Sequence, residues 1–514
     1  MPCTTVLVGR KASNDGSTII GRTDDGHFDV KKMVVVDPKT VKRTYTSKIE
    51  HLTIELPENP LRYTACPSVS EEKGVWAASG INAANVAITA TETITTNPRV
   101  QGADPLVKYQ PKKGRNTKEV PGGISEEDIV TVVLPYIKSA KEGVKRLAGL
   151  IEKYGTSEMN GIAFSDEKDI WWMETIGGHH WIARRVPEDR VVIMPNQFGM
   201  DEFDFDDAFG KKKDFMCSAD LKEFVKDNYL DLWEKGWAER NGGNISYMLD
   251  EKLVAEYLDL NNDGNFNPRN VFGSHRDHDH VYNTPRAWSM GRYICPTSIS
   301  WDGPDADYTP ESDDIPWSFV PERKLAVEDV KSLLSLHYQG TPYDPYSASA
   351  EKPGIYRSIG INRTGVTPIC QIRGYMPDEL KGVEWICFAS STFAASLPVY
   401  TNVSKLPKYL TDVTLDVTTE NFHWASRLLG CLADPCFGES ILDVQRYQER
   451  IASEGRRIMN GYDKKMVALG KFDLLEEANE KLCEMARKET TEVLNAVVGI
   501  SAARMKNGYN RSDN

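Results

Sequence analysis

The sequence predicts an α+β fold on three observations: strand-like text opens the chain as hairpins, helical and strand-like stretches then alternate irregularly, and the C-terminal part is helical almost throughout. The irregular order argues against strict βαβ repeats. Thr4 to Gly9 is rich in β-formers, and the turn cluster "SNDGS" at 13–17 parts it from a second apolar run, Thr18 to Gly21. A hairpin is expected there, its first strand beginning right after Cys3. A second hairpin is expected over 74–93, "GVWAASGINAANVAITATET", turning at "NAAN".

One long helix is expected from Ser125, whose hydroxyl can cap free amides with Asp128 at the third helical position. It runs through Ile129, Val133, Ile137 and Val144, with a kink at Pro135. Strands at 160–164, 170–176, 180–186 and 191–198 have the spacing of an antiparallel meander. Helical text returns at 218–229 and 243–260, and strand-like text at 386–403. From about Thr419 onward, good helix formers with apolar residues at helical spacing predict a C-terminal helical layer, packed on the catalytic body or on another subunit. The stretch "QPKKGRNTKEVPGG" (110–123) reads as a surface loop above a site.

A chain of 514 residues can bury one large core or two ordinary ones, and 11 tryptophans and 21 tyrosines suit a globular enzyme. A net charge of -13 supplies no basic face for nucleic acid. No run approaches the roughly 20 apolar residues of a membrane helix, and "MPCTTVLVGR" lacks the layout of a signal peptide, so a cytoplasmic location is expected. Nine scattered cysteines without a CxxC indicate neither a zinc ribbon nor a disulfide framework.

Cys3 stands apart from the other eight by position. A cysteine that is the mature N-terminus carries its own base, because an α-amino group titrates at about 7.7–8.0. That requires removal of Met1 and Pro2. By position alone, Cys3 reads as an ordinary buried thiol. Arg22 and Asp25 on the facing strand mark it out: a guanidinium lowers a thiol pKa, and a carboxylate can orient an amine.

The segment "CTTVLVGRKASNDGSTIIGRTDD" resembles the N-terminal signature of the bacterial dipeptidase A and secernin group of cysteine peptidases, N-terminal-nucleophile (Ntn) hydrolases related to the choloylglycine hydrolases and penicillin V acylases. The resemblance runs from Cys3 to about Tyr409, through "GINAANVAITATET", "MPNQFGM", "VYNTPRAW", "HYQGTPYDPY" and "SSTFAASLPVYTN". It implies an αββα four-layer sandwich of two antiparallel sheets with the nucleophile at a sheet edge. The expected organisation is a propeptide at 1–2, a catalytic domain over 3–418 and a helical region over 419–514.

The implied activity is a broad-specificity, cysteine-type dipeptidase working through an acyl-enzyme, without cofactor or metal. Cys3 would be the nucleophile, with Arg22 at its thiol and Asp25 at its α-amino group. Asn196 in "PNQF" matches the oxyanion donor and Arg286 in "NTPRAW" the arginine that supports the charge network. Asn82 and Glu92 would border the substrate pocket. Glu92 stands where the bile-salt and penicillin enzymes carry a neutral residue, and could pair with a dipeptide's ammonium. Short peptides are the expected partners and a homo-oligomer the expected assembly. Two other readings stay open: an amidase of N-acyl amino acids, and a secernin-like interaction protein whose Cys3 is never unmasked.

Several motifs imitate other chemistry. "DLNNDGNFNPRN" (259–270) follows an EF-hand loop until Asn270 replaces the final glutamate. His275, His278 and His280 cluster without a companion ligand at zinc spacing. Adjacent His179 and His180 are expected on opposite faces of a strand, unable to share a site. No cysteine has the local context of a cysteine–histidine protease, and no glycine pattern builds a phosphate loop.

Overall fold

A computed structural model describes residues 3–26, 28–70, 72, 74–114, 117–232 and 266–507. The opening hairpin forms as its sequence predicts. Strand β1 (Thr4–Val8) pairs antiparallel with β2 (Thr18–Thr23), setting Thr5 against Arg22 and Thr4 against Thr23. It lies near the middle of a seven-stranded sheet whose spatial order is Ser318–Phe319, Val191–Met194, β1, β2, Val366–Ile372, Gly382–Phe388 and Leu397–Tyr400. A six-stranded sheet runs Phe215–Cys217, Trp181–Arg185, Ile170–Thr175, Asn160–Ser165, Ala87–Thr93 and Ser79–Ile81. The pairings within both sheets are antiparallel.

Side-chain alternation along each strand decides which core a residue joins. Leu7, Ile20, Cys370 and Ile372 from the first sheet share one apolar cluster with Ala87, Ala163, Trp172 and Ile182 from the second. Val6, Val8, Ile19 and Ile369 point the other way, onto Trp288, Val330, Val444 and Leu482 of helices. On the second sheet, Ile162, Phe164, Trp171 and Met173 pack against Val133, Val144, Leu147 and Ile151. The three C-terminal helices, Phe422–Ala433, Phe437–Leu469 and Leu475–Ala503, match the periodic text there. They are tied to the body where Asp463 meets Arg373 at 2.6 Å and the Tyr400 hydroxyl at 2.7 Å.

Two expectations need correction. The helix expected from Ser125 is two helices, Ile129–Val133 and Ala140–Tyr154. Pro135 falls in an intervening 3₁₀ turn, Ile137 is extended (φ −127°, ψ 148°), and the Ser139 side chain caps the second helix through the amide of Glu142. At the first helix the roles are reversed from those expected, since the Asp128 carboxylate accepts from the amide and hydroxyl of Ser125. The meander is also shorter: the first three of its strands pair in sequence, but Val191–Met194 crosses to the other sheet and pairs with β1. That crossing delivers Asn196 to the Cys3 end of the hairpin. The helical text at 243–260 and most of the EF-hand look-alike lie outside the described residues.

Candidate active site

Cys3 ends up sealed between the two sheets, at 0% exposure. Cys3, Thr5 and Leu7 alternate onto the inner face of β1, and Leu7 belongs to the inter-sheet core. Arg22, opposite Thr5 on β2, shares that face and donates from Nη1 to Cys3 Sγ at 2.9 Å. Its remaining terminal N–H groups reach the carbonyls of Thr91 (2.8 Å), Ala78 (3.0 Å) and Ala90 (2.7 Å) on the facing sheet. The register of Ala87–Thr93 slips between Ala90 and Glu92, a bulge that turns consecutive carbonyls toward one guanidinium.

Burial is the largest influence on the Cys3 thiol and pushes its pKa up, while Arg22 pulls it down. The sulfur in this environment therefore holds its proton near neutrality and needs a base to take it. Glu92, fully buried, accepts from the Thr5 hydroxyl at 2.8 Å. Its pKa is raised to about 8 by burial, against the pull of Arg286, the Thr5 hydrogen bond, Arg22 and Arg357.

Arg286 sits in the helix Thr284–Ile294 with its five N–H groups committed. It donates to the Cys3 carbonyl, to the Thr4 hydroxyl at 2.6 Å, to Asn196 Oδ1 at 2.8 Å, to Asn283 Oδ1 at 2.9 Å and to the Tyr282 carbonyl at 2.7 Å. Burial and neighbouring Arg357 lower its pKa to about 10, so it is still a cation at neutral pH. Asn196 is pinned from both ends, because its Nδ2 donates to the Thr93 carbonyl at 2.8 Å. Asp25 accepts from the Thr364 hydroxyl at 2.6 Å, the Thr23 hydroxyl at 3.1 Å and the Arg357 guanidinium.

Of the residues expected here, Cys3, Arg22, Glu92, Asn196 and Arg286 form one connected set, and Asp25 joins through Thr23 on β2. Asn82 does not. It lies at the turn of its hairpin, five residues of strand away from Glu92 at the other end. Its amide is spent on the carbonyls of Leu134 and Ile137 and on the amides of Ala84 and Val86. A side chain with both donors and both acceptors committed holds a turn together.

Sequence reading passed over Asp24, Lys31, Glu126 and Arg357. Asp24 Oδ2 pairs with Lys31 at 3.0 Å, and Arg22 Nη1 stands 3.6 Å from Asp24 and 3.8 Å from Glu126. Asp24 could have been found, since alternation puts it on the face of Arg22 and turns Asp25 away. Glu126 and Arg357 carry no local signal. His179 and His180, expected to be unable to share a site, both approach Asp104, at 3.3 and 2.8 Å, because they follow glycines in a bend and not a strand. His275 and His280 share Asp313, whereas His278 stacks on Tyr282.

With this geometry in view, the family match is decisive: the model for peptidase family C69 covers residues 2–450. The chain belongs to peptidase family C69. This C69 peptidase is 45% identical over 559 residues to "Dipeptidase" of Bifidobacterium longum, spanning 100% of both chains. It is 43% identical over 518 residues to "Probable dipeptidase A" of Streptococcus pyogenes serotype M3, again over 100% of both. It is 40% identical over 517 residues to "Probable dipeptidase B" of Lactococcus lactis, covering 99% of this chain and 98% of that protein. The match to residue 450 carries the C69 peptidase beyond the Tyr409 limit of the sequence resemblance, into the helical region. No helix among the described residues is long and apolar enough to cross a membrane.

Proposed function

We propose that this C69 peptidase hydrolyses dipeptides, with Cys3 as the nucleophile once the two residues ahead of it are removed. The observation that carries the reading is the 2.9 Å contact between Arg22 Nη1 and a fully buried Cys3 Sγ. Relatives named as dipeptidases along the whole chain supply the substrate class. The packing of two antiparallel sheets with helices on the outer faces supports the αββα Ntn arrangement, with 3–418 as the catalytic domain and 419–514 as a helical region on it. A cytoplasmic homo-oligomer completes this reading.

The freed α-amino group of Cys3 takes the thiol proton, and the sulfur attacks the peptide carbonyl carbon. Arg22 stabilises the developing thiolate at the sulfur it already contacts. Asn196 Nδ2, a two-hydrogen donor fixed by Thr93 and Arg286, offers a hydrogen bond to the tetrahedral oxyanion. The C–N bond breaks as the α-ammonium returns its proton to the departing amine, leaving a thioester. Water, deprotonated by the same amine, then releases the free acid and regenerates the thiol. Arg286 anchors the Cys3 carbonyl throughout, and Asp25 orients the α-amino group from a position fixed by Arg357 and Thr364.

Intact mass of the purified protein tests the first requirement: loss of Met1 and Pro2 is expected, and full retention in an active preparation overturns the mechanism. Assay of leucyl and methionyl dipeptides against N-acyl amides tests the substrate class. Faster cleavage of the N-acyl amides would make the chain an amidase instead.

A further inference from the structure

Three successive carboxylates stand at 126–128, and only one faces the nucleophile. Glu127 accepts from the Ser47 hydroxyl and the amides of Lys48 and Ile49, and Asp128 accepts from Ser125, so both serve local turns. Glu126 reaches toward Arg22 instead. Asp24 comes from the opposite side, because continuing the β1–β2 register by one residue places it across from Cys3. One carboxylate oxygen of each lies within 4.8 Å of Cys3 Sγ and of the other.

Arg22 does not satisfy Asp24. Its four terminal N–H groups are spent on the sulfur and three carbonyls. Asp24 is 1% exposed, and its Oδ1 receives no hydrogen bond from any described residue. A buried carboxylate oxygen without a donor is costly, and a ligand rich in N–H groups removes the cost.

We propose that Asp24 and Glu126 bind the substrate's α-ammonium group, so that the enzyme reads a free amino terminus next to the bond it cuts. The assignment rests on the dipeptidase reading and specifies its recognition element. In an attack-ready peptide the carbonyl carbon lies about 3–3.5 Å from the nucleophile. The α-nitrogen is two bonds further, about 2.5 Å from that carbon. A charge-assisted hydrogen bond adds about 2.8 Å. Folded around the reacting carbon, these lengths match carboxylate oxygens within 4.8 Å of the sulfur. Glu92 is the competing partner, with Oε2 held by the Thr5 hydroxyl and Oε1 receiving no hydrogen bond from any described residue, so it enters the test beside the pair. A divalent cation suits the trio less well, since it would set two positive charges against a guanidinium already beside all three groups.

The test compares leucyl-leucine with its des-amino analogue, 4-methylpentanoyl-leucine, on the processed wild type, Asp24→Asn, Glu126→Gln and Glu92→Gln, with EDTA present. Wild type is expected to prefer the free amine, and its kcat/KM for leucyl-leucine to fall as the substrate amine deprotonates, a limb absent from the des-amino profile. In Asp24→Asn and Glu126→Gln, the preference should shrink by on the order of 10- to 100-fold; in Glu92→Gln it should persist. Parallel loss of both substrates, collapse of the preference in Glu92→Gln alone, or abolition by EDTA would overturn the assignment. If the variants do not fold, the wild-type pH profiles decide, and matching limbs for both substrates refute it. Wild type that cleaves only N-acyl amides sinks the dipeptidase reading itself, whereas dipeptide cleavage with an unchanged preference in the variants sinks the ammonium assignment alone.

Discussion

Cys3 and Cys66 are both fully buried thiols beside buried carboxylates, yet of the two it is Cys3 that has a guanidinium at its sulfur. Cys66 Sγ faces Glu384 at 3.7 Å, and Glu384 is satisfied by neutral donors, the hydroxyls of Ser79 at 2.6 Å and Thr64 at 3.3 Å. Burial and Glu384 hold the Cys66 thiol well above its ordinary pKa. Burial does the same to Cys3, but there a guanidinium touches the sulfur and opposes it. A carboxylate neighbour deepens the inertness of a buried thiol, and a guanidinium at the sulfur works against it.

The largest effect should separate the two cysteines directly. Cys3→Ala is expected to lower kcat/KM for dipeptides on the order of 10⁴-fold or more, the scale of removing a covalent nucleophile. Cys66→Ala should keep kcat/KM within a few-fold and change only the melting temperature. Steady-state assays of both variants check this, and comparable losses would erase the contrast between the sites.

Next in size is Asn196→Ala, expected to cut kcat by about 10²–10³-fold through loss of an oxyanion donor. KM should move little, because the interaction belongs to the transition state. A change confined to KM would place Asn196 in ground-state binding. On the Cys66 side the matching change is Glu384→Ala, which strands the Ser79 hydroxyl that now donates to it at 2.6 Å. It should cost about 1–3 kcal/mol of stability in denaturant unfolding and leave kcat intact. Loss of kcat beyond the loss of folded protein would link the two clusters.

What the sequence revealed of this contrast follows from the range of each interaction. The Cys3–Arg22 contact was legible because a turn cluster between two apolar runs fixes a hairpin register locally. The C-terminal helices were legible because apolar periodicity is also local. Strand Val366–Ile372 was passed over even though it pairs with β2, because that pairing joins segments some 350 residues apart. Val191–Met194 was placed in the meander because spacing alone does not say when a strand changes sheets. Arg357 reaches Asp25 across 332 positions, beyond any motif. Asp24 was passed over for a different reason, since alternation from Arg22 already pointed to it as a neighbour of the sulfur.

The last effect, read in stability and not in rate, concerns Glu92, the buried carboxyl on the Cys3 side. Its folded pKa is about 8 against an ordinary value of 4.5, so the native state binds this proton more tightly than the unfolded chain does. Its contribution to stability is therefore fully present below 4.5 and is lost as the pH rises through 8. Glu92→Gln keeps the shape and removes the titration, so the variant should lose less stability than wild type between those limits. For a chain of 514 residues each kcal/mol moves the midpoint by less than about 2–4 °C, which makes calorimetry at closely spaced pH values the suitable measurement. Parallel pH–stability curves for the two proteins would mean that Glu92 is ionised in the fold. Its negative charge would then stand permanently beside Cys3, and the contrast with the Glu384 cluster would narrow to the guanidinium of Arg22 alone.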